Sequence, residues 1–316
     1  PSAISQFEDT MHDLIIIGGG PAGLTAAAYA LHKRIETLVI SERLGGKNIY
    51  RFRLKGYEGH EIITGFEIVD KFQRQLEYLD FAHRLDRVTH IFPEGPNLLV
   101  HTQGGEKYET RAVLIATGAL PRRLKVPGEE RLIGKGLSYS AISHAQLFLD
   151  KETALVGSTP RAIRAATELA WTCKKVHVIL PEPGEIDSPL GKRVRANPNV
   201  VLYENARVLE IRGEEYVESI RVQTPAGVQE IPIEGLFIEI GLDRSSNFAA
   251  DLGLEVNNLS KNLNAGKVVI DTTNRTSRPG VFAAGDVTDV FIEQVLIAIG
   301  EGAKAALSAY EYLINQ

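Results

Sequence analysis

The chain has 316 residues, of which 44% are hydrophobic and 24% charged. At roughly 100–200 residues per domain this predicts two domains, each able to bury its own core. A net charge of -5 with no long Lys/Arg run excludes a nucleic-acid footprint. One cysteine, Cys173, excludes a disulfide framework and any multi-cysteine zinc or iron–sulfur site, so no metal is expected. There is no secretory leader and no apolar run of about 18 residues or more, so a soluble, cytoplasmic protein without membrane contact is expected. Residues 1–10, ahead of the only methionine, Met11, are read as an arm outside the fold.

Residues 13–17 (DLIII) form a β-branched apolar run that suits a buried strand. A glycine turn follows, then the helical pattern LTAAAYALHKR, then a second strand, ETLVI. Gly18, Gly20 and Gly23 stand in G-x-G-x-x-G spacing, with Pro21 and Ala22 opening the helix. Gly18 allows the tight turn, Gly20 lets backbone approach a pyrophosphate, and Gly23 lets helix and strand pack closely. The start of the helix turns unpaired N–H groups and a positive dipole end toward phosphate. Glu42, at the end of the second strand, is placed to accept hydrogen bonds from ribose hydroxyls. This motif alone fits FAD or NAD.

Farther along, residues 112–118 (AVLIATG) read as a strand ending in Ala116, Thr117 and Gly118. Residues 119–123 and 241–246 read as linkers. Between them, TALVG repeats the strand-plus-glycine start at Gly157, followed by a helical pattern from Pro160 to about Lys174 and the strand VHVIL. Thr159 is a good N-cap and Pro160 suits the first helical position, but a threonine there admits phosphate less closely than glycine. Arg161 could supply a charge-assisted contact instead. Glu182 stands after the second strand of this unit, much as Glu42 does in the first, and a carboxylate there repels a 2′-phosphate. Residues 280–286 (GVFAAGD) form a last strand ending in Gly285 and Asp286, and residues 293–307 look helical. Cys173 falls in a helical pattern and reads as a small buried hydrophobe.

Taken together, IIIGGGPAGLTAAAYA, LGGK, LIATGA, IGLDRSSN and RPGVFAAGDVTD resemble the pyridine nucleotide–disulfide oxidoreductases, most closely the thioredoxin reductases. The resemblance implies an α/β fold of two Rossmann-like dinucleotide-binding domains, the second inserted in the first. Residues 11–121 and 247–316 would bind FAD, and 122–246 would form the inserted domain. It implies that Asp286 holds the ribityl chain of FAD, and that Glu293, Gln294 and Val295 open a helix pointing at the pyrimidine end of the flavin. Gly45, Gly46 and Lys47 match a loop beside the flavin. The family usually has a basic residue at the place of Glu293, and a glutamine at that of Lys47.

Where thioredoxin reductases hold NADPH, this chain departs from the pattern. The turn has lost its middle glycine to Thr159, and Leu180, Pro181 and Glu182 stand in place of a His-Arg-Arg cluster. NADH, a second FAD, or no ligand at all then remain for Gly157, Thr159, Pro160, Arg161 and Glu182, with NADPH disfavoured. The family's Cys-x-x-Cys and following Asp align with Ser140, Ser143 and His144, through natural loss or deliberate replacement. Serine cannot relay electrons as a disulfide does. His144 is either a general acid near neutral pH or a packing residue. The leading expectation is a thioredoxin reductase-like, FAD-dependent oxidoreductase without conventional NADPH use, and the diflavin-linked disulfide oxidoreductases, with a second FAD in the NADPH-like domain, are a candidate branch. A ferredoxin–NAD(P) reductase-like enzyme and a non-catalytic flavin-binding sensor are the alternatives. The family implies a homodimer and a redox protein partner, ferredoxin or thioredoxin-like.

Overall fold

The computed structural model describes residues 11–49, 52–55, 65–79, 82–244, 247–257 and 266–316. The arm expected over residues 1–10 lies outside these. The chain divides into two compact units, one over Pro1–Ile49, Ile63–Ala119 and Arg244–Gln316, the other over Tyr50–Ile62 and Leu120–Asp243, so far as their residues are described.

The first unit is built on strands β1 (His12–Gly19), β2 (Thr37–Leu44), β3 (His83–Leu85), β4 (Val88–Glu94), β5 (Asn97–Thr102) and β6 (Lys107–Ile115). They run β3-β2-β1-β6-β5-β4, and the short strand Val281–Ala283 also pairs with β6. β1 is parallel to β2 and β6, whereas β4, β5 and β6 form an antiparallel meander. β6 pairs with β5 through its first half, then with Val281–Ala283 through its last residues, Val113 meeting Val281. β1 is apolar on both faces because both are covered. Leu14 and Ile16 enter one core cluster, Ile15 and Ile17 the other.

Helix α1 (Pro21–His32) is rich in alanine, which lets neighbours come close. A Cβ on Gly302 of the last helix, Val295–Ile314, would lie 2.1 Å from the Ala22 carbonyl oxygen. That helix begins two residues later than the sequence pattern implies, and runs on to Ile314. Gln294 is its N-cap and Glu293 precedes it. Helix α2 (Gly65–Glu77) also packs beside α1.

The second unit repeats the plan. Strands β7 (Leu137–Ser138), β8 (Glu152–Val156), β9 (Lys175–Leu180), β10 (Val200–Glu204) and β14 (Gly235–Ile238) form a parallel sheet in the order β10-β9-β8-β14-β7. Between β10 and β14 come β11 (Arg207–Arg212), β12 (Ser219–Thr224) and β13 (Gly227–Pro232), an antiparallel meander. Helices α3 (Ala141–His144), α4 (Pro160–Thr172) and α5 (Pro189–Ala196) complete what the site needs. The fold is thus α/β, with a Rossmann-like sheet in each unit.

The sequence reading ran the first domain unbroken from 11 to 121 and resumed it at 247, whereas the first unit ends at Ala119, resumes at Arg244 and cedes Tyr50–Ile62 to the second. Residues 52–55 pack within the second unit: Phe52 stacks on His144 at 4.3 Å, Leu54 is buried in the core around Phe148, and the Arg53 N–H bonds Gly134. Apolar contact distant in sequence decided the assignment, and no local pattern announces it. Cys173 is also not inside a helix. It caps α4, buried, and burial pushes its thiol upward.

Candidate active site

In the first unit the glycine turn lies at the carboxyl ends of the parallel strands, where open α/β sheets take ligands. Gly18 has φ 111°, a conformation glycine adopts without strain, and a Cβ there would stand 2.4 Å from the Ala116 carbonyl oxygen. Gly23 lies against Gly18: an added Cβ would reach 1.9 Å from the Gly18 oxygen. Gly20 is different, because its nearest neighbour is the Gly46 Cα at 4.0 Å. Two of the glycines therefore serve close packing, and Gly20 leaves open space above the turn.

No side chain caps α1. Gly20 is its N-cap, and Pro21 brings no N–H. The loop that faces this turn is held by backbone, with the Gly45 N–H donating to the Gly19 oxygen at 2.7 Å. Lys47, at its far side, pairs with Asp286 across 2.5 Å. Asp286 follows the strand Val281–Ala283, and Gly285 beside it is fixed by the Glu301 carboxylate, which accepts its N–H at 2.9 Å. Burial pushes the Glu301 carboxyl upward. The structure thus gathers Gly18, Gly20, Pro21, Ala22, Gly23, Gly45, Gly46, Lys47, Ala116, Gly285 and Asp286 at one edge. Thr117 and Gly118 continue from β6, with Gly118 at φ 66°.

Glu42 sits on a bulge. Ile17 pairs with Ile40 but Gly19 pairs with Leu44, so β2 loops outward between them. Ser41 holds the bulge, accepting the Gly19 N–H at 2.9 Å and donating to the Arg43 oxygen at 2.6 Å. The Glu42 side chain is exposed and lies 4.0 Å from Arg87.

FAD fits these residues on three observations. Gly20 offers a surface with no Cβ, the first turn of α1 has no side-chain cap or acidic residue, and the Asp286 Oδ1 takes no hydrogen bond among the described residues. Glu293 does not stand as a bare carboxylate. Arg244 lies 2.9 Å and Lys267 3.5 Å from its Oε1, and Arg244 Nε also donates to the Asp286 carbonyl at 3.1 Å.

In the second unit Gly157 has φ 143° and repeats the tight turn. The helix start does not repeat. Thr159 Oγ1 accepts the Ala162 N–H at 3.1 Å and donates to the Glu239 carbonyl at 3.2 Å. A cavity of about 340 Å³ opens here, lined by Gly157, Thr159, Glu182, Arg123, Arg207 and Ile240, among others. Arg161 does not line it. Its Nε is turned to the Glu239 carboxylate, 2.5 Å away, and Glu239 is only 3% exposed. Arg123 and Arg207 line the cavity instead, and Arg161 stays with Glu239 because a buried carboxylate without a cation is costly. Pro160 opens α4 as expected.

Ser140 is the N-cap of α3 and Ser143 lies within it, with their hydroxyls 2.9 Å apart. His144 Nδ1 meets the Ser138 hydroxyl at 2.8 Å. Burial pushes the His144 imidazole down to about 4, so at neutral pH it is uncharged. Of the two readings of His144, general acid or packing residue, this favours packing: its stack on Phe52 removes the water that would stabilise an imidazolium. Glu239 reaches this turn too, accepting the Ala141 N–H at 3.1 Å.

Several of these residues escaped the sequence reading. Glu239 did leave a signal, a charge inside the apolar run GLFIEI, which demands a buried partner. Arg123, Arg207, Arg244 and Lys267 lie in polar surroundings with no such mark. Among the described residues no group of three or more His, Cys, Asp or Glu could hold a metal ion, and no helix is long and apolar enough to cross a membrane.

Two Rossmann-like units, the first with a glycine cradle and an uncapped helix start, define a dinucleotide-binding oxidoreductase scaffold. The chain belongs to the pyridine nucleotide-disulphide oxidoreductase family, whose model matches residues 12–302. It is similar to the thioredoxin reductase of Streptococcus pyogenes MGAS5005, at 32% identity and TM-score 0.86 over 98% of this chain and 100% of that one. The thioredoxin reductase of Giardia duodenalis is 28% identical, with TM-score 0.84 over 96% and 99%. A component of the alkyl hydroperoxide reductase of Staphylococcus aureus is 34% identical over 98% of this chain and 61% of its own length. The chain therefore spans about three fifths of the curated relatives it matches. Its fold is thioredoxin reductase-like.

Proposed function

We propose that the chain passes electrons through FAD held in the first unit, takes them from a donor other than NADPH, and does not relay them through a dithiol of its own. FAD, when bound, supplies the one- and two-electron chemistry. The glycine turn and the start of α1 would receive its pyrophosphate, Glu42 its ribose, and Asp286, oriented by Lys47 and Gly285, its ribityl hydroxyls. Ser140 and Ser143 hold the turn that a cysteine pair would occupy in the family. With Cys173 the single cysteine and buried, electrons leave to a separate partner, a ferredoxin or thioredoxin-like protein.

The second unit is proposed to hold a dinucleotide without a 2′-phosphate, with a second FAD the favoured occupant. The observation that carries this reading is the placement of Glu182 in the same cavity as Gly157 and the two arginines. A carboxylate there suits free ribose hydroxyls and opposes a phosphate, while Arg123 and Arg207 suit a pyrophosphate. A homodimer, as in the family, is part of the proposal and is tested by sedimentation.

The deciding experiment extracts the flavin and counts it per chain, then offers NADPH and NADH under anaerobic conditions. The reading expects two FAD per chain and no rapid bleaching with NADPH. One FAD per chain removes the second flavin, and fast bleaching by NADPH overturns the reading of Glu182.

A further inference from the structure

A carboxylate just ahead of a helix that opens toward the cofactor edge is an electrostatic anomaly. The helix start carries partial positive charge, and Glu293 alone would cancel it. The surroundings reverse that sign. Arg244 and Lys267 both lie against Glu293, and the three side chains are 2%, 9% and 14% exposed. Two cations against one carboxylate leave a net +1, largely shielded from water. Lys267 is tied further back, donating to the Val290 carbonyl at 3.1 Å. Arg244 instead reaches forward: its Nε donates to the carbonyl of Asp286, whose side chain faces Lys47. The Lys47–Asp286 pair is itself neutral and does not cancel the charge of the Arg244 group.

We propose that Arg244 is a charge-setting and positioning residue for the flavin, placing a buried guanidinium between the Asp286 backbone and the start of the last helix, where Glu293 would otherwise oppose negative charge on the reduced ring. The proposal rests on the reading of the first unit as the FAD-holding one. Glu293 fixes the guanidinium in place, and Lys267 holds Glu293. A charge held this way needs no reorganisation when the ring gains electrons, and a hydrogen-bonded guanidinium keeps its proton at any working pH.

The test measures the flavin midpoint potential and the dissociation constant of the flavin–sulfite adduct, which places negative charge on the ring without any electron donor. Arg244→Gln is expected to lower the potential and weaken sulfite binding about tenfold or more, the weight of one charge-assisted contact. For a two-electron couple, tenfold corresponds to about 30 mV. Glu293→Gln, which keeps the cation and removes its opponent, is expected to shift both in the opposite direction. Arg244→Lys is expected to stay near the parent. If Arg244→Gln loses its fold, Glu293→Gln still decides. Unmoved values in a flavin-loaded Glu293→Gln protein, or movement in the same direction as Arg244→Gln, would reduce Arg244 to a brace and overturn the proposal. A parent protein that takes up no FAD overturns the cofactor reading as well, and is seen before any variant is made.

Discussion

Replacing Ser140 and Ser143 together with cysteine should produce an internal disulfide. The two hydroxyl oxygens already stand 2.9 Å apart, one on the extended residue that caps α3 and one inside it. A disulfide needs sulfurs about 2.05 Å apart, so about 0.9 Å must be closed. Longer carbon–sulfur bonds and a small turn of each side chain about χ1 are expected to close it. The ring spans four residues. Removing that much freedom from the unfolded chain is worth about 1.9 kcal/mol at 25 °C in the loop-entropy account. The experiment is best made with Cys173 changed to alanine, so that the new pair carries the only thiols. Mild oxidation should then take the count of titratable thiols in denaturant from two to none. Urea unfolding should show the oxidised form more stable than the reduced by about the amount above. A protein that retains both thiols after oxidation would refute the view that this turn keeps disulfide geometry. Equal stability of the two forms would refute only the magnitude.

His144 offers a pH signature. Its folded value of about 4 lies below the unfolded 6.5, so the unfolded chain binds the extra proton. Its contribution is whole above about pH 6.5 and drains away toward pH 4. Between pH 7 and 5 the parent should lose about 2 kcal/mol more than His144→Gln, and parallel loss in urea titrations would contradict the burial argument. Thr159→Ala removes the cap of α4 and should cost about 1 kcal/mol, with an unchanged unfolding midpoint as the contrary result. Gly23→Ala asks for space that is not there, since the new Cβ would sit 1.9 Å from the Gly18 oxygen. Because the last helix blocks retreat of α1, the variant should lose most of its flavin in absorbance-to-protein ratio. Full flavin content would show that α1 can slide.

Much of the scaffold was legible because it is local. Apolar runs followed by glycine marked β1, β6, β8 and the strand Val281–Ala283, and Thr159 with Pro160 marked the start of α4. The edge of the first site could be read from residues whose types are constrained by sterics, Gly18 and Gly23 above all. What escaped depends on partners far apart in the chain. The Lys47–Asp286 pair spans 239 positions, and nothing near either residue announces the other. Arg161 invited a phosphate reading because its neighbours are those of a nucleotide turn, and its true partner, Glu239, is 78 positions away. Likewise Glu293, where the family usually has a basic residue, is accompanied by Arg244 and Lys267 from elsewhere in the chain.

The contrast between the two helix starts has a thermodynamic consequence. α4 satisfies one N–H of its first turn through a threonine, so its start leans less on a guest. α1 leaves that turn to solvent or to a guest, and a guest bound only by the native form adds RT ln(1 + [L]/Kd) to its stability. Adding FAD to stripped protein should therefore raise the unfolding temperature of the first unit in proportion to the logarithm of its concentration, whatever the second unit holds. Proteases acting on the stripped form should cut there first.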